Sequence, residues 1–206
     1  MIIFDMDGTL WDTVDVSKEA MDVVSNNYEE VKEVSKETIK DGMGSSRKEN
    51  GLRFMPYLDE EKRDFYMGKL NENILNLIEE KGAFIYDGVI DTIKELSKDY
   101  KIGIITNNND RYVESFIKFS NLHDYITDYM GASNHNVSKA EAIKIVCDRN
   151  NEPHSYYVGD IKKDMDSTIE AGQTFIHAKY GFEPSLECDY YINDITELKE
   201  LIKEIP

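Results

Sequence analysis

Cysteine, proline and long apolar runs are scarce in this chain, and each scarcity excludes a class of protein. The two cysteines, Cys147 and Cys188, are too few for a disulfide framework and lack the spacing of metal ligands. The four prolines mark loops and not linkers, and the sequence has no internal repeats or low-complexity segments. No apolar run approaches the length of a bilayer-crossing helix, so the sequence predicts no membrane-spanning segment.

Basic residues are also in deficit. The chain carries 24 of them against 41 acidic residues, which gives a formal net charge of −17. Such a balance argues against binding nucleic acid through its phosphates. It also repels a phosphorylated small molecule, which would need a local positive site made of a divalent cation, a lysine and backbone N–H groups. The chain opens directly into an apolar strand pattern without a signal-type segment, so we expect a cytoplasmic protein.

The most informative segment is MIIFDMDGTLWD, residues 1–12. An apolar run of strand type ends in Asp5 and Asp7, spaced so that both reach the C-terminal edge of the strand, where open α/β sheets carry their sites. Gly8 permits a tight turn because it tolerates a positive φ, and Thr9 adds a hydroxyl beside the carboxylates. Two acids held this closely suit a metal ion and a division of roles between nucleophile and acid/base.

The rest of the chain divides into a helical stretch and an alternating stretch. Helices are predicted for residues 14–27, 47–55 and 59–81, the last with Phe65, Leu70, Ile74, Leu77 and Ile78 on one side. After residue 85, short apolar strands alternate with helical patterns, which indicates parallel βαβ units. We therefore predict an α/β fold with a doubly wound parallel-sheet (Rossmann-like) core, residues 1–12 and 85–206, split by a helical-bundle insertion at residues 13–84.

Polar residues follow four of the predicted core strands. Because the C-terminal ends of parallel strands converge, we expect these residues to meet at one edge of the sheet. Phosphoryl transfer needs this inventory of a carboxylate nucleophile, a neighbouring acid, donors for phosphate oxygens, a lysine and acids for Mg²⁺. The residues are Asp5 with Asp7, Thr106 with Asn107, Lys139, and Asp160 with Asp164 after Gly159.

Structural roles compete with these assignments. Thr106 and Asn107 could cap the helix that follows them, and Lys139 could be a surface lysine in the first turn of a helix capped by Ser138. That position is electrostatically poor for a lysine because the helix N-terminus is already positive, and a nearby anion would explain it. Gly159 favours function because a glycine lets the backbone turn sharply at a strand end.

Four segments together resemble the haloacid dehalogenase superfamily of phosphatases. The resemblance is to the subfamily with a helical cap inserted after the first strand, which contains phosphoglycolate phosphatases and β-phosphoglucomutases. The first and fourth motifs are highly specific as a pair, and the second and third are weak alone. In chain order the motifs are FDMDGTLWD, IITNNN, VSKAEAI and YYVGDIKKDMDSTIEAG.

The resemblance implies a role for each residue. Asp5 would attack phosphorus and form an aspartyl phosphate, while Asp7 would protonate the leaving alcohol and then deprotonate the hydrolytic water. Thr106, Asn107 and Lys139 would orient the transferring oxygens. Mg²⁺ would be held by the Asp5 carboxylate, the Asp7 backbone carbonyl, Asp160, and Asp164 directly or through water. In the insertion, the loop Gly42–Arg47 resembles the cap loop that touches substrate, which makes Arg47 a candidate contact; an exposed turn is the alternative.

Hydrolysis of a small phosphate ester by a Mg²⁺-dependent phosphatase is the function that we expect. A phosphosugar mutase is the alternative, since it shares every core motif, but such mutases carry a histidine shortly after the first motif and commonly a valine where Thr9 stands. Residues 12–20 contain no histidine. A non-catalytic acidic binding protein is disfavoured by the intact set Asp5, Asp7, Lys139 and Asp160. A dehalogenase is disfavoured because carbon–halogen displacement would not need Asp7 and the metal-binding acids. The sequence leaves substrate identity and oligomeric state open.

Overall fold

The computed structural model describes residues 1–205, which form two compact units. One unit combines Met1–Trp11 with residues 85–205, and the other is Asp12–Phe84. The strands are β1 (Ile2–Phe4), β2 (Trp11–Asp12), β3 (Phe84–Ile85), β4 (Ile102–Thr106), β5 (Asp128–Gly131), β6 (Tyr156–Gly159), β7 (Thr174–Ala178) and β8 (Tyr191–Ile192).

Ten α-helices lie within the described residues. They are α1 (Val14–Asn27), α2 (Lys36–Lys40), α3 (Arg47–Phe54), α4 (Glu60–Lys81), α5 (Val89–Leu96), α6 (Asp110–Ser120), α7 (Ala132–His135), α8 (Lys139–Asn150), α9 (Lys162–Glu170) and α10 (Leu198–Glu204). None of them combines the length and the apolar character that crossing a bilayer requires.

Six strands of the first unit form one parallel sheet in the order β5-β4-β1-β6-β7-β8. The chain builds outward from β1 on one side through β4 and β5, then crosses to β6 and builds outward on the other side. This is the doubly wound arrangement, and it places β1 at the switch in strand order, where open α/β sheets carry their sites. The predicted α/β fold class is confirmed.

The central strands are apolar throughout because both faces of the sheet are covered. Ile2, Ile3 and Phe4 of β1 are fully buried, as are Ile102 and Ile104 of β4. A parallel sheet covered by helices requires such continuous apolar runs, which explains why these strands lack alternation. Because the strands are parallel, their C-terminal ends lie at the same edge of the sheet, where the polar loops begin.

The second unit is helical. Helix α1 packs against α4, and their contact buries Ala20, Met21 and Val24 from α1. Ser46 and Glu49 form a reciprocal capping box at the start of α3, and the Asp59 side chain accepts a hydrogen bond from the Lys62 amide at the start of α4. These caps satisfy amide groups that a helix leaves unpaired and so fix where α3 and α4 begin.

One part of the predicted α4 face is wrong. Phe65 is half exposed, whereas Leu70 and Ile78 of the predicted side are buried; α4 also buries Tyr66, Met67 and Leu75. The Phe65 ring instead lies edge-on to Tyr28 and Tyr66. The two short strands β2 and β3, which pair with each other where the chain passes between the units, were also absent from the sequence prediction.

Candidate active site

Three buried carboxylates meet at the C-terminal edge of the sheet. Asp5 follows β1, Asp160 follows the neighbouring β6, and Asp164 lies in the first turn of α9. Each offers an oxygen within 4.8 Å of the other two, and their exposed fractions are 4%, 0% and 0%. The structure thus brings together three of the residues that the sequence indicated.

Lys139 joins this cluster as its nearest cation. Its Nζ donates to Asp5 Oδ1 at 2.7 Å and to Asp164 Oδ1 at 2.6 Å, and the side chain is almost completely buried. Lys139 is the first residue of α8, directly after Ser138, which forms a capping box with Glu141. Ser138 caps the helix as expected, but the surface-lysine alternative is wrong, because Lys139 is buried and faces anions that offset its unfavourable place at the helix N-terminus.

Asp164 is held from two directions. While Oδ1 accepts from Lys139, Oδ2 accepts from the backbone amides of Asp160 and Ile161 at 3.2 and 3.4 Å. Those amides belong to the start of α9, where a carboxylate is electrostatically favourable. Asp164 therefore ties the β6–α9 loop to Lys139 and fixes the position of Asp160.

Burial and mutual repulsion raise the pKa values of two carboxyl groups in this cluster. Burial, followed by repulsion from Asp164, raises the pKa of Asp5 to about 7, although Lys139 pulls it down. Burial and the same neighbour raise the pKa of Asp160 well above its ordinary value. Burial opposes the charge of Lys139, but attraction to Asp164 and Asp5 outweighs it and raises the Lys139 pKa well above its ordinary value.

The donor set fits a divalent cation. Mg²⁺ prefers hard oxygen ligands and is commonly held by one or two carboxylates together with water and phosphate oxygens. Three carboxylates around a single lysine leave negative charge that a divalent ion would compensate. The buried cluster of Asp5, Asp160 and Asp164 is therefore suited to binding such an ion.

Asp160 is packed so tightly that its neighbours must be small. Gly8 has φ +85°, and a Cβ added to it would lie 2.1 Å from Asp160 Oδ2. The Phe182 amide donates to that same oxygen at 2.7 Å, and the Thr9 hydroxyl lies 3.4 Å from Oδ1. The turn after Asp7 is thus built to bring backbone against this carboxylate.

Gly159 is explained differently from the sequence prediction. It has no positive φ, so the expected sharp turn is not the reason for a glycine there. A Cβ added to it would lie 2.7 Å from the Cβ and from Oδ2 of Asp164. The glycine is required because Asp164 packs directly against the strand end.

Asp7 lies outside the three-carboxylate group and has its own partners. Its Oδ1 accepts a hydrogen bond from the Tyr112 hydroxyl at 2.6 Å, and its Oδ2 lies 3.5 Å from Asn108 Nδ2. Tyr112 and Asp7 are both nearly fully buried. The two acids of the first motif therefore occupy different environments, one beside Lys139 and the other beside a tyrosine.

Thr106 and Asn107 lie at the end of β4, the strand next to β1. The Thr106 hydroxyl is buried and accepts a hydrogen bond from the Asn108 amide at 3.2 Å. The cap of the following helix is Asn109, whose side chain accepts from the Tyr112 amide. Neither Thr106 nor Asn107 therefore caps the helix that follows, which was the alternative to phosphate binding for these two residues.

Arg47 belongs to the helical unit and is engaged there. Its Nη2 lies 2.9 Å from Asp64 Oδ1, and its side chain remains 44% exposed. With Lys48, Arg63 and residues of α4, it lines a cavity of about 330 Å³ that lies within this unit. Arg47 and the carboxylate cluster belong to different units.

Two polar residues of the site were missed by sequence reasoning, Tyr112 and Asn108. Asn108 belongs to the run of three asparagines after β4, so its position at a strand end was a usable signal. In the sequence, Tyr112 occupies an ordinary apolar position of an amphipathic helix. Only the three-dimensional structure shows that its hydroxyl contacts Asp7.

Comparison with known families agrees with this geometry. Residues 2–178 match the model of the haloacid dehalogenase-like hydrolases, and the chain belongs to this family. The membership that the four motifs indicated is therefore confirmed. A comparison with curated proteins gave no match.

Solved structures share the fold at low sequence identity. A predicted phosphoglycolate phosphatase from Haemophilus somnus is 15% identical, with a TM-score of 0.83 over 98% of this chain and 97% of that one. A haloacid dehalogenase-like family hydrolase from Streptococcus pneumoniae is 20% identical, with a TM-score of 0.82 over 98% and 97%. A predicted phosphatase from Clostridium acetobutylicum is 18% identical, with a TM-score of 0.80 over 99% and 98%.

Proposed function

We propose that this protein is a Mg²⁺-dependent phosphatase that hydrolyses a small phosphorylated metabolite through an aspartyl-phosphate intermediate. The observation that carries the proposal is the buried group of Asp5, Asp160 and Asp164 with Lys139 bonded to two of them. Structural neighbours that are named phosphoglycolate phosphatases support the same reaction class. In this proposal the unit that contains Asp5 is the catalytic core, and the helical unit is a cap that carries substrate specificity.

Asp5 is the nucleophile. Lys139 fixes its Oδ1, and among residues 1–205 no hydrogen bond reaches its Oδ2, which leaves one oxygen to attack. A bond forms from Asp5 to phosphorus as the bond to the leaving oxygen breaks, and Asp7 gives that oxygen its proton. Water then attacks phosphorus, Asp7 takes the proton of that water, and the Asp5–phosphorus bond breaks to release phosphate.

The remaining residues handle charge and orientation. Asp5, Asp160 and the Asp7 backbone carbonyl would hold the metal, with Asp164 acting directly or through water, and Mg²⁺ bound there would neutralise phosphate charge and orient its oxygens. Lys139, Thr106 and Asn107 bind the transferring oxygens, where stabilisation of the transition state contributes most to the rate. Arg47 contacts the substrate beyond its phosphate.

A phosphatase screen tests the proposal. The purified protein is incubated with a panel of phosphorylated metabolites and Mg²⁺, against an EDTA blank and the Asp5→Asn variant. We expect release of phosphate from at least one ester, lost with EDTA and with Asp5→Asn. Phosphate release that persists in the variant would contradict the assignment of Asp5, and release that persists after exhaustive chelation would contradict the metal requirement.

A further inference from the structure

Tyr112 forms the shortest hydrogen bond to Asp7 among those described, and no role follows for it from the family motifs. Its hydroxyl donates to Asp7 Oδ1 at 2.6 Å from the first turn of α6. The bond joins residues 105 positions apart in the chain, and its partners are 2% and 8% exposed. A buried hydrogen bond to a carboxylate is stronger and more directional than a neutral one, so it restricts where Asp7 can point.

The ring of Tyr112 is itself held in place. Trp11 lies edge-on to it, with ring centroids 5.1 Å apart and an interplanar angle of 75°. Trp11 also lies edge-on to Phe116, one turn further along α6, at 5.2 Å. Edge-to-face aromatic pairs have a preferred geometry, so this packing restricts the direction of the tyrosine hydroxyl.

Trp11 and Asp7 belong to one tight turn. The Gly8 amide donates to the Trp11 carbonyl at 2.9 Å, and Asp7 and Trp11 form an isolated bridge. Tyr112 therefore contacts this turn at both ends, through its ring at Trp11 and through its hydroxyl at Asp7. The contact at Trp11 is apolar, and the contact at Asp7 is polar.

We propose that Tyr112 is a positioning residue for the reaction, whose hydroxyl holds the Asp7 carboxylate in the orientation that reaches the leaving oxygen. The inference rests on the proposed function, since it concerns how Asp7 performs proton transfer there. Displacement of a reacting group by about 1 Å can cost about a hundredfold in rate, so a single positioning bond can matter. Asn108 Nδ2, 3.5 Å from the other oxygen of Asp7, provides a weaker second contact.

Tyr112→Phe tests the proposal because it removes the hydroxyl and keeps the ring against Trp11. Tyr129→Phe is the control, since the Tyr129 hydroxyl also donates to a carboxylate on α6, that of Glu114 at 2.8 Å, in an exposed hydrogen bond. Both variants are assayed on the alkyl phosphate that the wild type hydrolyses fastest and on p-nitrophenyl phosphate. The aryl leaving group departs with little need for a proton, so it depends less on Asp7.

We expect Tyr112→Phe to lower kcat on the alkyl ester by about 10- to 100-fold, with KM nearly unchanged and a much smaller loss on the aryl ester. In the Asp7→Asn background the same change should have no further effect. Tyr129→Phe should match the wild type. Emission from Trp11, the only tryptophan, should be the same in wild type and Tyr112→Phe, which verifies that the ring packing survives.

Other results would overturn the proposal. Equal losses on both esters, or losses that multiply in the double variant, would mean that Tyr112 acts through packing and not through Asp7. Unchanged kinetics in Tyr112→Phe would leave its hydroxyl without a role in the reaction. If the wild type hydrolyses no phosphate ester, the proposed function is wrong. In that case the hydrogen bond is tested by stability: additive losses of Tm in Tyr112→Phe, Asp7→Asn and the double variant would mean that Tyr112 does not act on Asp7.

Discussion

Lys139 Nζ lies 2.7 Å from Asp5 Oδ1, although the two residues are 134 positions apart in the chain. Both side chains are buried, so the ion pair is shielded from solvent, and its attraction is far stronger than that of an exposed pair. The pair connects the first strand to the start of α8 and sets the electrostatics of the site. The effects expected for substitution of Asp5 or Lys139 depend on this pair.

Asp5→Asn should abolish turnover while the fold remains intact. The substitution is nearly isosteric and removes the negative charge of the nucleophile. We expect a loss of about four decades or more in kcat, typical of removing a covalent catalyst. Steady-state kinetics with circular dichroism as a fold check measures this, and a folded variant with a tenth of wild-type activity would exclude Asp5 as nucleophile.

Lys139→Met should destabilise the metal-free protein. It leaves Asp5 and Asp164 facing each other without their shared cation, and breaking a buried pair costs about 3–5 kcal/mol of unfolding free energy. Mg²⁺ should restore part of that loss. Chemical denaturation with and without Mg²⁺ measures both effects. Lys144→Met on the exposed side of the same helix is the control, and an equally small loss in both variants would argue against the buried pair.

The free energy of unfolding of the metal-free protein should fall as pH rises from about 5 to about 8. The folded state raises the Asp5 pKa from 3.8 to about 7, so it binds this proton more tightly than the unfolded state does. The stabilisation is therefore complete below the unfolded pKa and is lost as pH rises through the folded pKa. The pKa of Asp160 is raised in the same direction, while that of Lys139 lies above this range in both states.

Thermal melting across that pH range gives the measurement. Because Mg²⁺ binds the ionised carboxylates, it should raise Tm more at pH 8 than at pH 5. The Asp5→Asn variant should show a flatter pH dependence than the wild type. A metal-free Tm that rises from pH 5 to pH 8 would contradict the raised proton affinity of the cluster.

Arg47→Ala should affect substrate choice and leave the core chemistry intact. We expect kcat/KM for the preferred metabolite to fall by about one to two decades, roughly 1.4–3 kcal/mol, since a guanidinium fork can bind a carboxylate or hydroxyls. Hydrolysis of acetyl phosphate should barely change. Lys48→Ala, the next residue along α3, is the control.

Two outcomes would contradict a role for Arg47 in substrate choice. Equal losses on both substrates would mean that its ion pair with Asp64 supports the fold of the helical unit. No loss on either substrate would mean that Arg47 contributes neither to substrate binding nor to the fold. Melting curves of Arg47→Ala distinguish these cases, because only the first lowers Tm.

The sequence predicted the parallel sheet because alternating short apolar runs and helical patterns have few other solutions. It also placed Asp5, Lys139, Asp160 and Asp164 at one edge, because that edge follows from the topology. Phe65 was misassigned because α4 is apolar on more than one side, and only its packing partners decide which side is buried. Tyr112 was missed because its contact with Asp7 depends on the tertiary position of α6, which local pattern does not determine.

The most direct test of the proposed mechanism is whether phosphate becomes covalently attached to Asp5. Asp7→Asn should slow breakdown of the aspartyl phosphate more than its formation from acetyl phosphate, whose leaving group needs no proton, so the intermediate should accumulate. The variant is mixed with acetyl phosphate and Mg²⁺, quenched in acid, digested and mapped by mass spectrometry. We predict phosphate on the peptide that contains Asp5, and none when Asp5→Asn is added. An unmodified Asp5 peptide in Asp7→Asn, under conditions where the wild type hydrolyses acetyl phosphate, would contradict the mechanism.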